Sequence, residues 1–454
     1  MSNLLRKAKN AYEIMSPEEL RDAYEYCEGY KKFLDEGKIE RFCVEYAVNL
    51  AEERGFEVFD YGKKYKPGDK VYFVQHNRAA IFAVIGTESP EDGFNIVAAH
   101  VDCPKLDLKP NPLYEDSGFA LFKTHYYGGI RKYQWVATPL ALCGVVCKKS
   151  GETLRVTIGL DESDPVFFIS DLLPHLAKDQ SSKPLDSAFT GENLNVLLAS
   201  IPAKETETDA LKTTVMKLLN EKYGIVEDDF LTADLSVVPA GRARDLGLDR
   251  SMILAYGHDD RIDAYPALLS LFELTSPAKT CVAVLADREE VGSMGISGMR
   301  SSYFADFLKA LCCGYNERKA FANSAALSAD VSAAYDPNFA DVFEKQNSAF
   351  FNRGIAVCKY TGSRGKGGSS EAPAEFMAKI FRIFEGAGVL YQVAELGKVD
   401  QGGGGTVAQF ISDLNIPVLD VGVALLSMHA PYEAASKTDI YYTHKACRAF
   451  FEKY

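Results

Sequence analysis

The chain has 454 residues, a formal net charge of −13, 11% aromatic and 25% charged residues. This globular composition leaves room for more than one domain and argues against extended disorder. The negative charge opposes a protein that binds nucleic acid or an anionic membrane, because both partners need basic surface.

Targeting and redox signals are weak. The first residues, MSNLLRKAKN, lack the apolar core of a signal peptide, and no apolar run approaches the roughly 20 residues of a membrane-spanning helix. The ten cysteines are scattered and form no CxxC pair, which favours reduced thiols. We therefore expect a cytoplasmic protein with no membrane partner.

Helical signals open the chain. Ser16, Pro17 and Glu19 predict a capped helix start. A second amphipathic run covers residues 38–54 and ends at Gly55, a typical helix terminator. Apolar patterns then predict strands at 71–75, 79–86 and 94–100.

The middle of the chain, from about residue 107 to 250, has mostly alternating strand patterns. They predict strands within 118–127, 133–149 and 152–160, with one helix at 209–224. After residue 260, helices and apolar strands alternate again, which indicates a mostly parallel sheet sandwiched by helices. We predict an α/β fold with a discontinuous catalytic domain (1–107 and 250–454) and a β-rich dimerisation or insert domain (108–249).

Histidine and acidic side chains recur where the predicted strands end. His100 and Asp102 follow one strand and, two apart, point to the same side. Asp259 precedes a helix, Asp330 follows the strand AALSA, and His429 follows VLDVGV. Each position alone is explained as well by a surface ion pair or a helix N-terminus. Together they suit two divalent cations with nitrogen and oxygen ligands.

Glu289 and Glu290 stand side by side in LADREEVGSMG, directly after the predicted strand 281–286. Two like charges at a strand end fit such a site. One glutamate can bind a metal while its neighbour takes a proton from the attacking water.

The ordered segments HVDCPKLDLKP, YGHDDRIDA, DREEVGS, LSADVSAAYDPN and SMHAPYE resemble the site-bearing segments of the aspartyl aminopeptidase family of zinc metallopeptidases, in its bacterial branch. YYGGIRKYQW, LPHLA and GENLNVLLAS are similar to insert segments of that family. The resemblance implies a fold of the dinuclear zinc peptidase type, peptide substrates, two zinc ions per subunit (with cobalt or manganese as substitutes) and a dodecamer built from dimers.

The resemblance also implies roles for individual residues. Glu289 is similar to the general base, Asp102 to the carboxylate that orients His100, and His175 to a histidine that reaches a neighbouring subunit's site to contact substrate or metal. Asp259 looks like the ligand that bridges the two metals. The metal ligands it implies are His100, Asp259, Glu290, Asp330 and His429.

The chain departs from the family pattern near the substrate. Ala333 stands where the aspartyl-specific members have a histidine, so preference for an acidic N-terminal residue is open. Lys359 and Arg364 can still supply positive charge there. Gly404 and Thr406, in a glycine-rich loop, are further candidates for substrate binding because glycine allows close approach.

These features predict a metal-dependent aminopeptidase that releases N-terminal amino acids, acidic or neutral, from peptides. The alternative is a two-metal deacylase or amidohydrolase acting on N-acyl amino acids. A third candidate, a non-enzymatic binding shell, would be expected to lose ligands that this chain retains.

Overall fold

The structure, a computed structural model, describes residues 4–454. The chain forms two compact units. The first runs up to Asp102, continues over Ala243–Met428 and ends with Glu433–Tyr454; the second comprises Cys103–Arg242 and His429–Tyr432. The predicted α/β class is confirmed, whereas the predicted domain limits (1–107, 108–249 and 250–454) stay a prediction.

Helices lie at both ends of the chain and between the strands. Within residues 4–454 they are α1 (Ala11–Ile14), α2 (Pro17–Glu36), α3 (Glu40–Glu52), α4 (Lys178–Ser181), α5 (Leu185–Ala188), α6 (Ala210–Tyr223), α7 (His258–Phe272), α8 (Tyr303–Leu311), α9 (Glu317–Asn323), α10 (Ala374–Gly386), α11 (Ala408–Ser412) and α12 (Lys437–Lys453).

The strands of the same residues form three sheets. They are β1 (Glu57–Val58), β2 (Lys70–Gln75), β3 (Ala79–Val84), β4 (Phe94–His100), β5 (Lys105–Asp116), β6 (Phe119–Tyr127), β7 (Leu140–Cys147), β8 (Thr153–Ile158), β9 (Val196–Ala199), β10 (Ala233–Pro239), β11 (Arg244–Leu246), β12 (Met252–Ala255), β13 (Thr280–Ala286), β14 (Ala325–Ala329), β15 (Ser332–Ala333), β16 (Ile355–Cys358), β17 (Tyr391–Val393), β18 (Val418–Gly422), β19 (Ala424–Leu426) and β20 (Glu433–Ser436).

The largest sheet, in the first unit, has the order β1-β2-β3-β13-β4-β14-β18-β16-β17. Its central strands β13, β4, β14 and β18 are parallel neighbours, and β3 and β16 flank them in antiparallel orientation. Parallel strands present their carboxyl ends at one edge of a sheet, where ligands bind in open α/β folds. The sheet therefore places the residues that follow β4, β13 and β14 at a common edge.

Both faces of this sheet are covered. In β4, Val97 and Ala99 pack in an apolar cluster with α2, α3, α7 and α12, whereas Ile96 and Ala98 pack in another with α8 and α11. Alternate residues of a strand point to opposite faces, so a strand covered on both faces needs apolar residues throughout. This explains the nearly continuous apolar run of β4.

The helix signals at the start of the chain are confirmed. The Ser16 hydroxyl accepts a hydrogen bond from the Glu19 amide at 3.1 Å, and the Glu19 carboxylate accepts from the Ser16 amide at 3.1 Å. This is the predicted capping box at the start of α2. Among residues 4–454, no helix combines the length and apolar character that a membrane crossing requires.

The second unit carries an antiparallel sheet in the order β8-β7-β10-β5-β6-β9. The strand predicted within 133–149 is confirmed at Leu140–Cys147, but the first part of that pattern does not form a strand. Residues 132–135 form a 3₁₀ turn with Trp135 buried. Ala137 then has a φ of 56°, a left-handed conformation that interrupts an extended chain.

Candidate metal centre

His100 is the last residue of β4, and its side chain is 2% exposed. Its Nδ1 lies 2.9 Å from the Asp102 carbonyl oxygen, so Nδ1 carries the proton and donates it. The other ring nitrogen, Nε2, lies 3.1 Å from Asp259 Oδ1 and is the one that faces the acids. A histidine that binds metal through one ring nitrogen typically donates from the other in this way.

Four of the five predicted ligands lie together around this ring. Donor atoms of His100, Asp259 and Glu290 lie within 4.8 Å of one another, and so do donor atoms of His100, Asp260 and Asp330. The two groups share the histidine, and both consist of imidazole nitrogen and carboxylate oxygen. Such donors fit zinc in an open, catalytic type of site, in which no cysteine takes part.

Asp102 connects the histidine to the paired glutamates. Its Oδ1 accepts a hydrogen bond from the backbone amide of Glu289 at 3.1 Å, and its Oδ2 accepts from the amide of Glu290 at 3.2 Å. The Glu289 Oε2 lies 3.9 Å from His100 Nε2. The buried Asp102 thus fixes the histidine through its backbone carbonyl and the loop that carries the two acids through its carboxylate.

Asp287, at the end of β13, anchors the base of that loop. Its Oδ2 accepts from Arg78 Nε at 2.9 Å and from the Ser297 hydroxyl at 2.5 Å, and Arg78 also pairs with Glu40 at 2.9 Å. Burial raises the pKa of Asp287 to about 6, against the lowering effect of Arg78 and Ser297. Asp287 therefore supports the loop and is not among the clustered donors.

The turn that presents Asp259 is buried. The Asp259–Asp260 peptide bond is cis, and the Asp259 amide donates to Glu433 Oε2 at 3.2 Å. His258 lies 2.7 Å from the Tyr30 hydroxyl through Nδ1 and 3.2 Å from the Ile253 carbonyl through Nε2. Burial lowers the pKa of His258 to about 3, so the ring is neutral, donates to the carbonyl and accepts from the tyrosine.

The electrostatics of the cluster fit a cation. Burial and the neighbouring Glu289 and Asp259 carboxylates raise the pKa of Asp330 well above its usual range. Burial alone would lower the pKa of His100, but hydrogen bonds to Asp102 and Asp259 raise it well above its usual range. Carboxylates crowded in a place of low polarity repel one another, and a divalent cation between them offsets that repulsion. The residues present therefore fit a bound metal.

The remaining predicted site residues are His429, His175, Lys359, Thr406 and Gly404. His429 belongs to the second unit, where Nδ1 donates to the Gly129 carbonyl at 2.8 Å. His175 is an exposed residue of the same unit. In the first unit, Lys359 Nζ lies 3.4 Å from Glu371, and the Thr406 hydroxyl donates to Asp420 at 2.6 Å.

Gly404, the last of these, accepts a backbone hydrogen bond from Gly362 at 2.5 Å. The backbone there joins two loops. For Gly404, Thr406, Lys359, His175 and His429, the functional assignments stay predictions.

Three buried acids around Asp259 escaped the sequence prediction: Asp260, Asp263 and Glu433. In the sequence, Asp260 and Asp263 are explained by the first turn of a helix, where acids are common. The available signal in the sequence was their spacing of three residues, which in a regular helix would put them on one face.

A sequence model of the family described as Aminopeptidase I zinc metalloprotease (M18) matches residues 33–451. The chain belongs to this family. The probable M18 family aminopeptidase 1 of Clostridium acetobutylicum is 48% identical over 461 residues, which cover 99% of both chains. That of Thermotoga maritima is 41% identical over 453 residues, or 98% of this chain and 99% of the relative.

Solved M18 structures agree. The crystal structure of an M18 aminopeptidase from Thermotoga maritima matches with a TM-score of 0.94 at 40% identity, covering 99% of this chain and 100% of that one. The crystal structure of aminopeptidase I from Clostridium acetobutylicum gives 0.93 at 44% identity, with the same coverage. The prediction of a metal-dependent aminopeptidase of the zinc metalloprotease class is confirmed, and the deacylase alternative finds no support.

Proposed function

We propose that this M18 aminopeptidase releases the N-terminal residue of peptides with two zinc ions per subunit. The observation that carries the proposal is the cluster of donor atoms around His100, which groups it with Asp259 and Glu290 and also with Asp260 and Asp330. One imidazole nitrogen binds a single metal, so His100 would hold one of the two ions. Asp259, whose Oδ1 lies 3.1 Å from His100 Nε2, would be the ligand common to both ions, as the family resemblance implies. His429 is proposed as the fifth ligand on the family resemblance.

Zinc in such a site supplies Lewis acidity, which activates water and polarises the scissile carbonyl. The chain's own residues handle the proton. The Glu289 carboxylate, held through its backbone amide by Asp102, takes the proton of the attacking water and delivers it to the leaving amine. Glu290, held by the other oxygen of Asp102, serves as a ligand.

We further propose the finer architecture predicted from the sequence: a sandwiched catalytic domain interrupted by a β-rich insert domain. The helices on both faces of the large sheet and the all-antiparallel sheet of the second unit support it. The assembly is proposed as a homo-oligomer built from dimers, up to a dodecamer, acting on peptides in the cytoplasm. One solved structure with this fold, from S. cerevisiae at 19% identity, is a dodecamer.

The test is hydrolysis of chromogenic substrates with N-terminal Asp, Glu, Leu, Met or Ala, with and without chelator, and after adding back zinc, cobalt or manganese. Chelator-sensitive cleavage of substrates with a free amino group is expected, with no cleavage of the matching N-acetylated substrates. Cleavage of only the blocked substrates would contradict the proposal. The rank order of substrates decides whether Ala333 is compatible with an acidic preference.

A further inference from the structure

Asp260 is completely buried directly beside the metal centre, although the sequence suggested for it only a place in a turn. Its Oδ2 accepts a hydrogen bond from the backbone amide of His100 at 3.2 Å. The main chain of His100, a predicted metal ligand, is thus held by the carboxyl group of Asp260 near the start of α7.

The contact continues to Asp263, one helical turn along α7. The carboxyl groups of Asp260 and Asp263 interact with each other. Among residues 4–454, no N–H or hydroxyl donates to the Oδ1 of either side chain. The buried Asp260 side chain therefore contacts both the main chain of His100 and the carboxyl group of Asp263.

Asp263 in turn holds the strand connection beside Asp330. Its Oδ2 accepts from the backbone amide of Val423, which lies between β18 and β19, at 3.3 Å. At Gly422 the packing is so close that a Cβ would lie 1.9 Å from the Asp330 carbonyl oxygen and 2.6 Å from Asp263 Oδ2. Asp260 and Asp263 together therefore connect the main chain of His100 to the segment at Gly422 and Val423, which packs against Asp330.

We propose that Asp260 is a positioning residue of the zinc centre, which acts with Asp263 to fix the main chains around His100 and Asp330 and does not itself bind metal. The inference rests on the proposed zinc site. Residues that orient metal ligands typically change metal affinity by about 10–100-fold when they are lost.

The decisive comparison is between Asp260→Asn and Asp260→Ala. An asparagine keeps a carbonyl oxygen for the His100 amide and offers an N–H donor to Asp263, so both contacts survive without a carboxylate. An alanine removes both. A positioning role therefore predicts that the asparagine variant keeps wild-type zinc affinity and two zinc ions, whereas the alanine variant binds zinc about 10–100-fold more weakly.

Asp439 provides a matched control for general damage. It too is a buried acid in the first turn of a helix, and it accepts backbone amides from Asn352 at 2.8 Å and Gly354 at 2.7 Å. Asp439→Ala should destabilise the fold in urea and leave zinc affinity unchanged. Asp260→Ser, which loses the same contacts but keeps a polar group, serves if Asp260→Ala does not fold.

Zinc content is measured by elemental analysis and zinc affinity by competition with a chromogenic chelator, each on protein with a native circular dichroism spectrum. If Asp260→Asn loses one zinc equivalent, Asp260 is a ligand and the proposal is overturned. Unchanged affinity in Asp260→Ala, or an equal loss in Asp439→Ala, also overturns it. Wild-type protein that binds no zinc would instead contradict the proposed function.

Discussion

The Tyr30 hydroxyl lies 2.7 Å from Nδ1 of His258, and both side chains are completely buried. The bond links α2 to the residue before Asp259, while the other ring nitrogen donates to the carbonyl of Ile253. A histidine at this place is thus tolerated because both ring nitrogens have partners inside the core.

Tyr30→Phe should destabilise the protein by about 1–3 kcal/mol, because the buried Nδ1 acceptor loses its donor. Urea unfolding followed by circular dichroism measures the change. Tyr26 on the same helix is the control, since its buried hydroxyl has no hydrogen-bond partner among residues 4–454. Tyr26→Phe should leave stability unchanged or raise it, and equal losses in the two variants would show that the Tyr30 bond contributes nothing specific.

Asp245 should make the first unit sensitive to acid. Its Oδ1 lies 2.8 Å from Nζ of Lys437, whose side chain is 1% exposed, and 2.9 Å from Nζ of Lys31. Burial alone would raise the pKa of Asp245, but hydrogen bonds to Lys437 and Lys31 lower it below its usual range. A carboxyl whose folded pKa is lowered stabilises the fold above its unfolded pKa, and this contribution is lost as pH falls through the folded pKa.

Asp245→Asn should therefore cost about 3 kcal/mol near neutral pH, because a buried ammonium loses its carboxylate. The cost should shrink as pH falls below about 4, where the unfolded carboxyl becomes protonated. Urea unfolding between pH 2 and 7 measures it. Asp413→Asn, at an exposed position, should change stability little at any pH. A cost for Asp245→Asn that does not vary with pH would rule out the charge pair as its source.

Local sequence patterns predict the central strands of the large sheet and the acidic residues that follow them. A continuous apolar run ending in His100 predicts a buried strand that stops at a polar residue, and the parallel order of β13, β4 and β14 then brings the strand ends together. The five-stranded sheet β11-β12-β20-β19-β15 could not be predicted in this way. Its strands have two to four residues and come from distant segments, so their pairing depends on the folded chain.

Two other features escaped the sequence for physical reasons. Pro110 and Pro112 argue against a strand, yet β5 spans both, and its pairing with β6 shifts between Leu108 and Leu113, where these prolines lie. Asp260 resembles any acid in the first turn of a helix. Only the fold shows that it is buried against His100.

Asp102→Asn tests the connection between the histidine and the glutamates. Asparagine keeps one acceptor oxygen and replaces the other with an NH₂ group, which cannot accept from the amide of Glu289 or Glu290. Zinc affinity and kcat should fall by about 10–100-fold, the usual effect of losing a group that orients ligands. Chelator competition and initial rates measure the two quantities. Wild-type values for both would show that the two amide hydrogen bonds do not position the site.

Substituting Glu289 and Glu290 one at a time should affect different properties, the first the turnover rate and the second the zinc affinity. Glu289→Gln should keep both zinc ions and lose about 10²–10⁴-fold in kcat, because an amide cannot take the proton from water. Glu290→Gln should lose zinc affinity, since a neutral amide replaces a charged ligand. Elemental analysis, chelator competition and steady-state rates with saturating zinc measure the difference.

Exposed Glu317 is the control for loss of a carboxylate, and Glu317→Gln should match the wild type in every assay. Saturating zinc should restore part of the rate of Glu290→Gln and none of the rate of Glu289→Gln, because only the former defect lies in metal binding. The reverse pattern, with zinc lost from Glu289→Gln and retained by Glu290→Gln, would exchange the two roles. Asp102 accepts a hydrogen bond from the backbone amide of each glutamate, so their main chains are held in the same way. The roles of Glu289 and Glu290 must therefore differ through the directions of their side chains.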